Sequence, residues 1–181
     1  MSVCTFIAAD CPLPDVRPSK EYGVHINIDT GVIDDGGADD GFYLYRFADV
    51  QHYTDKENAV ELELHVYTEA RAQRIIDYIK DALEQTDTVE IWHVWLTDYD
   101  PPKIKRQRVT IDELTPEDIH EIDEAVIWTD KYSDTPTWYC LEIVKQQDLG
   151  GYCHEKGNKD YNRYGSCTAC TVRAERSTTL S

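Results

Sequence analysis

The chain has 181 residues, 41% of them hydrophobic, with four Trp and twelve Tyr, and a formal net charge of −17 at neutral pH. That aromatic content excludes the acidic disordered polypeptides, whose charge comes with few large apolar groups, and the length is enough to bury the core of one domain. Acidity on this scale repels nucleic acid and anionic lipid and favours cationic partners through a long-range attraction that salt screens.

The charge is unevenly divided. Residues 1–147 carry 31 Asp/Glu against 13 Lys/Arg, a balance of −18, whereas residues 148–181 carry 4 against 5, a balance of +1. The expected organisation is a single acidic domain over 1–147, followed by a loosely packed or disordered tail over 148–181, where small and turn-forming residues replace apolar periodicity.

The opening Val3-Cys4-Thr5-Phe6-Ile7-Ala8-Ala9 has no Lys or Arg before it and runs directly into Asp10 and a Pro-rich turn. It reads as a first strand rather than an export signal, so a cytoplasmic protein with free thiols at its six cysteines is expected. No apolar run approaches the roughly 18 residues of a membrane span. Further strands are predicted at 22–28 and 42–47, joined by an acidic, glycine-rich stretch from Asp29 to Gly41.

From residue 60 the pattern sharpens. Val60, Leu62, Leu64 and Val66 alternate with Glu61, Glu63 and His65, as in a strand with one face buried and one acidic face. Thr68 caps a predicted helix with Glu69 in its first turn, and Ala72, Ile75, Ile76, Ile79 and Leu83 recur at helical spacing to about Gln85. Residues 89–97 are apolar on both faces, which predicts a central strand with Trp92 and Trp95 on opposite sides. After Asp98-Tyr99-Asp100-Pro101-Pro102, residues 104–111 are expected to return as its antiparallel partner. A second helix is predicted from the Thr115 cap, with Pro116 first and Asp118 three after the cap, to about Ala125, burying Ile119, Ile122 and Val126. Residues 137–145 close the series as a strand, in which Cys140 reads as a small core residue.

The order strand–helix–strand–strand–helix–strand over residues 60–145 resembles the ferredoxin-like arrangement, an antiparallel sheet backed by two helices. The predicted class is α+β, a largely antiparallel sheet with two helices and extra N-terminal strands. The resemblance covers about half the chain, concerns order alone and implies nothing about function.

Two segments could hold a metal. Asp29, Asp34, Asp35, Asp39 and Asp40 offer hard oxygen ligands for Ca2+ or Mg2+, though without the alternation of a calcium loop. In the tail, Cys167 and Cys170 have the spacing of half a zinc site, and Cys153 and His154 are the other candidates, adjacent and so pointing apart. No cofactor is required by these patterns. His25, His65, His93, His120 and His52 lie beside no local Ser or Cys nucleophile motif, and Gly36-Gly37 sits among carboxylates that would repel a phosphate. The one cationic run, Lys103 to Arg108, is expected to pair with neighbouring carboxylates. Tyr43, Tyr45 and Tyr53 near the acidic stretch are candidates for outward display.

These observations point to a binding protein rather than an enzyme. Dense carboxylates would steer a basic protein partner, in the manner of an immunity protein, an inhibitor or a nucleic-acid mimic, and aromatic side chains would hold it. The candidate contact residues are Asp34, Asp35, Asp39 and Asp40, with Glu61, Glu63, Tyr43 and Tyr45 as a second acidic and aromatic face. The alternative is a small metal-dependent enzyme or metal-binding protein that uses the 29–41 stretch.

Overall fold

Each strand shows a different set of side chains to its two faces, and both faces of this sheet are covered. The computed structural model describes residues 3–21, 23–96, 103–128 and 135–146. The strands are β1 (Val3–Ala9), β2 (His25–Asn27), β3 (Val32–Asp34), β4 (Tyr43–Arg46), β5 (Asn58–Glu63), β6 (Thr88–Trp95), β7 (Lys103–Thr110) and β8 (Thr137–Val144). Two helices, α1 (Glu69–Leu83) and α2 (Pro116–Asp123), and a short 3-10 turn (Val50–His52) complete the described elements.

Six strands form one mixed sheet in the order β4-β5-β1-β6-β8-β7, and β2 and β3 form a separate ribbon. The α+β class therefore holds, with two helices against a mixed sheet. The chain order strand–helix–strand–strand–helix–strand is present from β5 to β8, but the spatial order is not that of four consecutive partners. β1 inserts between β5 and β6, pairing antiparallel with both. β7 does not return against β6 as the sequence suggests. It lies at the edge, parallel to β8, with Lys105 beside Tyr139 and Arg106 beside Cys140.

The helices cover one face. Thr68 accepts the Arg71 N–H at 3.2 Å, a side-chain cap that starts α1, and its apolar stripe packs Ile75, Ile76 and Ile79 onto Ile7, Val60, Leu62 and Ile91. Thr115 and Asp118 form a reciprocal capping box at the start of α2. This helix is shorter than its sequence predicts: it ends at Asp123, which leaves Val126 exposed while Ile119 and Ile122 are buried.

The opposite face is covered by the segment after β4. Phe6 of β1, Trp92 of β6 and Trp138 of β8 point there, and Phe47, Val50 and Tyr53 close over them. Phe6 stacks on Phe47 at 4.7 Å, and Tyr53 tilts onto Trp138 at 5.0 Å. Tyr53, a candidate for outward display, is therefore a wall of this second core. Cys140 belongs to the same layer, where burial pushes its thiol up to about 12.

Candidate functional site

The acidic stretch is organised around the β2–β3 hairpin. Residues 25–27 do not pair with β4 as neighbours across a long loop. They turn back at once, with His25 opposite Asp34, Ile26 opposite Ile33 and Asn27 opposite Val32. The Asn27 side chain accepts the N–H groups of Asp29 and Thr30 at 3.0 and 3.2 Å, and Gly31 takes the positive φ that the turn needs.

The ribbon displays aliphatic side chains. Every residue of both strands is exposed. Val24, Ile26, Ile28, Val32 and Ile33 all rank among the exposed large hydrophobics, with Ile26 at 62% and Ile28 at 92%. Ile26 and Ile33 are directly paired and share one face, Val32 lies on the other, and clustered exposure of this kind marks an interaction surface more often than an isolated surface Ile does.

A two-stranded ribbon this short is marginal alone, so its attachment matters. Asp35, immediately after β3, is only 4% exposed and makes a two-pronged ion pair with Arg71 of α1, at 2.6 and 3.0 Å. Arg71 is fully buried and also donates to the carbonyls of Ala38 at 2.8 Å and Val66 at 2.7 Å. Hydrogen bonds from the guanidinium, outweighing burial, hold the Asp35 carboxyl below the usual carboxylate range. Gly41 closes the wrap, because a Cβ there would stand 2.3 Å from Arg71 Nη2. Residues 35–41 thus curl around one buried guanidinium and root the hairpin in α1.

Of the carboxylates predicted to meet a partner, Asp35 is withdrawn into this root and offers nothing to solvent. Asp29, Asp34 and Asp39 are exposed. Asp34 accepts the Gly36 N–H at 2.9 Å, and Asp40 accepts the Ser19 N–H at 2.7 Å. Among the described residues no three His, Cys, Asp or Glu side chains gather as metal ligands. Cys153, His154, Cys167 and Cys170 lie outside the described residues.

The second predicted patch assembles on one face. Tyr43 pairs across the sheet with Glu63 and Tyr45 with Glu61, which puts all four side chains on the side away from the helices. The tyrosine rings stack at 5.4 Å, the Tyr45 hydroxyl donates to Glu63, and His65 Nε2 reaches Glu63 at 3.1 Å. Burial first, and Glu63 second, push the Tyr45 hydroxyl above its ordinary range. A small pocket lined by Val24, Asp35, Tyr43 and His65, among others, joins this patch to the root of the hairpin. The two surfaces are contiguous.

Comparison with known proteins finds no matching family, no matching curated protein and no matching solved structure.

Sequence reasoning passed over several polar residues that the fold brings inside. Arg71 carried a signal, since it falls on the apolar stripe of α1 one turn before Ile75. Thr5, His93 and Asp123 carried none, being 88 and 118 residues apart along the chain. The Thr5 hydroxyl donates to Asp123 at 2.7 Å and lies 2.8 Å from His93 Nδ1. The imidazole also bonds the Ala125 backbone, and which ring nitrogen carries the proton decides whether Nδ1 donates to or accepts from the hydroxyl. Burial lowers His93 and raises Asp123, so each is driven toward its neutral form. Here the hydroxyl sits between acid and imidazole rather than at the end of a nucleophile–histidine–acid chain. The cationic run lies on edge strand β7, where Arg106 meets Glu90 at 3.4 Å and Arg108 meets Glu142 at 3.7 Å. No helix among the described residues is long and apolar enough to cross a membrane.

Proposed function

We propose that the chain is an acidic binding protein that captures a basic protein partner through the β2–β3 hairpin and the adjoining Tyr43, Tyr45, Glu61 and Glu63 patch. The observation that carries this reading is the hairpin itself, with five aliphatic side chains in water on a ribbon rooted by a buried ion pair. Apolar area left in water on folding remains available to be buried in a complex, where it must outweigh the cost of association. The rooted ribbon keeps that area displayed instead of letting it collapse onto the body.

The division of labour follows from the chemistry. Carboxylates at Asp29, Asp34, Asp39, Glu61 and Glu63, backed by the −18 of residues 1–147, attract a Lys- and Arg-rich surface and orient it. The aliphatic ribbon and the paired tyrosines then supply the desolvated centre that holds the complex. A protein that covers a cationic surface in this way acts as an inhibitor of whatever that surface binds.

The test is affinity capture by the full chain at low and at high ionic strength, beside a triple variant Asp29→Asn/Asp34→Asn/Asp39→Asn. The reading expects a basic protein that is retained at low salt, released at high salt, and captured more slowly by the variant. Recovery of acidic or salt-insensitive partners, equal for both chains, would rule it out.

A further inference from the structure

On the sheet face away from the helices, a polar cleft of about 480 Å³ opens beside the 50–56 segment, over Glu90 of β6 and Arg106 of β7. Glu90 stands on β6 between the buried Val89 and Ile91 and is 8% exposed. One of its oxygens is fully used: Oε2 accepts the Trp92 indole N–H at 2.7 Å and the Thr54 hydroxyl at 2.6 Å. The other is not. Among the described residues, Oε1 meets Arg106 Nη1 at 3.4 Å, longer than a well-made charge-assisted bond.

Arg106 is similarly held. Its guanidinium lies over the Trp92 ring at 4.7 Å, which fixes its plane, while its side chain is half exposed and its other contact is Cys140 Sγ at 3.6 Å. Lys56 is fixed nearby by Asp10 at 2.7 Å and Thr88 at 2.6 Å. The cleft therefore presents a buried carboxylate oxygen and an oriented, half-exposed guanidinium side by side, 3.4 Å apart.

From this geometry we infer a binding site for a free α-amino acid. Its carboxylate takes two N–H donors from Arg106, and its ammonium donates to Glu90 Oε1, so that two short ion pairs replace one long one. The charge of the walls selects a zwitterion. Lys56 and Arg106 stand against Asp10, Asp55 and Glu90, so a simple anion meets three carboxylates, and a simple cation displaces Arg106 from Glu90 without giving it a partner. The remaining walls, Gln51, His52 and Asp55, are polar and suit a polar side chain on the ligand. This site is separate from the hairpin, and its occupation does not depend on the capture reading.

The experiment follows the Trp92 indole N–H resonance of the full chain, assigned with Trp92→Phe, during titration with each free amino acid up to millimolar concentration. N-acetylated and carboxamide forms of any binder are titrated in parallel. At least one polar amino acid moves the resonance saturably, and blocking either end weakens binding by about tenfold or more, as expected for loss of one of two ion pairs. Arg106→Gln weakens it as strongly, with binding read well below the melting temperature of each chain, and Glu90→Gln, which keeps the shape and removes the buried charge, serves as the second variant. The inference fails if no free amino acid moves the resonance, if the blocked forms bind equally well, or if Arg106→Gln binds like the parent.

Discussion

Strand β5 and the segment 24–28 around hairpin strand β2 carry the same apolar alternation in sequence and end in opposite environments. Val60 and Leu62 of β5 are buried between the sheet and α1, whereas Val24, Ile26 and Ile28, at the same spacing, remain in water. The difference lies in neighbours. β5 has β1 on one side, β4 on the other and a helix above, while β2 has only β3. Period-two patterning decides which side chains share a face and does not decide whether anything covers that face. An uncovered ribbon of this kind is kept in place by its root, and the root is polar.

The sharpest way to break the comparison is to remove that root. Asp35→Ala leaves the Arg71 guanidinium buried without its counter-charge and is expected to cost about 3–5 kcal/mol in urea unfolding, since half a buried pair is worse than none. The double variant Asp35→Leu/Arg71→Met should recover much of the loss while releasing the hairpin, seen as faster hydrogen exchange over 24–34. An Asp35→Ala variant as stable as the parent would contradict the anchoring role.

Next come the two strands themselves. Leu62→Ala should destabilise by about 2–5 kcal/mol through the cavity it leaves, whereas Ile26→Ala should change stability by no more than about 0.5 kcal/mol, as at other exposed positions. Chemical denaturation of both checks this, and a large loss from Ile26→Ala would mean that the ribbon is covered in solution. Gly41→Ala, which drives a Cβ into the Arg71 guanidinium, should cost about 1–3 kcal/mol by overpacking.

The smallest effects are those of pH. Asp35, lowered by Arg71, contributes stability that is complete above the unfolded carboxylate value near 3.9 and is lost as pH falls through its lower folded value. His93 is lowered by burial, so the unfolded chain takes up its proton first and stability falls as pH drops below about 6.5. Asp123, raised by burial, has the opposite sign: the folded chain binds its proton first, and stability returns as pH falls through its folded value. Asp123→Asn removes both that return and the charge that favours His93 protonation. Stability measured from pH 8 to pH 5 should then fall more steeply than in the parent, and an equal or shallower slope would refute the coupling.

Both helices were legible because their signals are local. Thr68 and Thr115 cap where the side-chain pattern places them, and the apolar stripe of α1 carries its own register. The two-sided burial of β6 was equally readable from the apolar residues on both its faces. Strand neighbours were not, because the insertion of β1 and the parallel pairing of β7 with β8 depend on contacts far apart in sequence. The same distance hid the fate of Asp35, whose partner is 36 residues away. Arg71 on an apolar helix stripe and Glu90 between buried Val89 and Ile91 were passed over in the sequence. Each turned out to sit at the centre of a polar device.

The most direct test of the displayed hairpin is the affinity of the captured basic partner for the parent chain and for Ile26→Ser/Ile28→Ser/Val32→Ser. Loss of about tenfold or more in affinity at an unchanged melting temperature is the predicted result, since the ribbon contributes to binding and little to folding. Equal affinity for the two chains would contradict it and return the binding to the acidic surface alone.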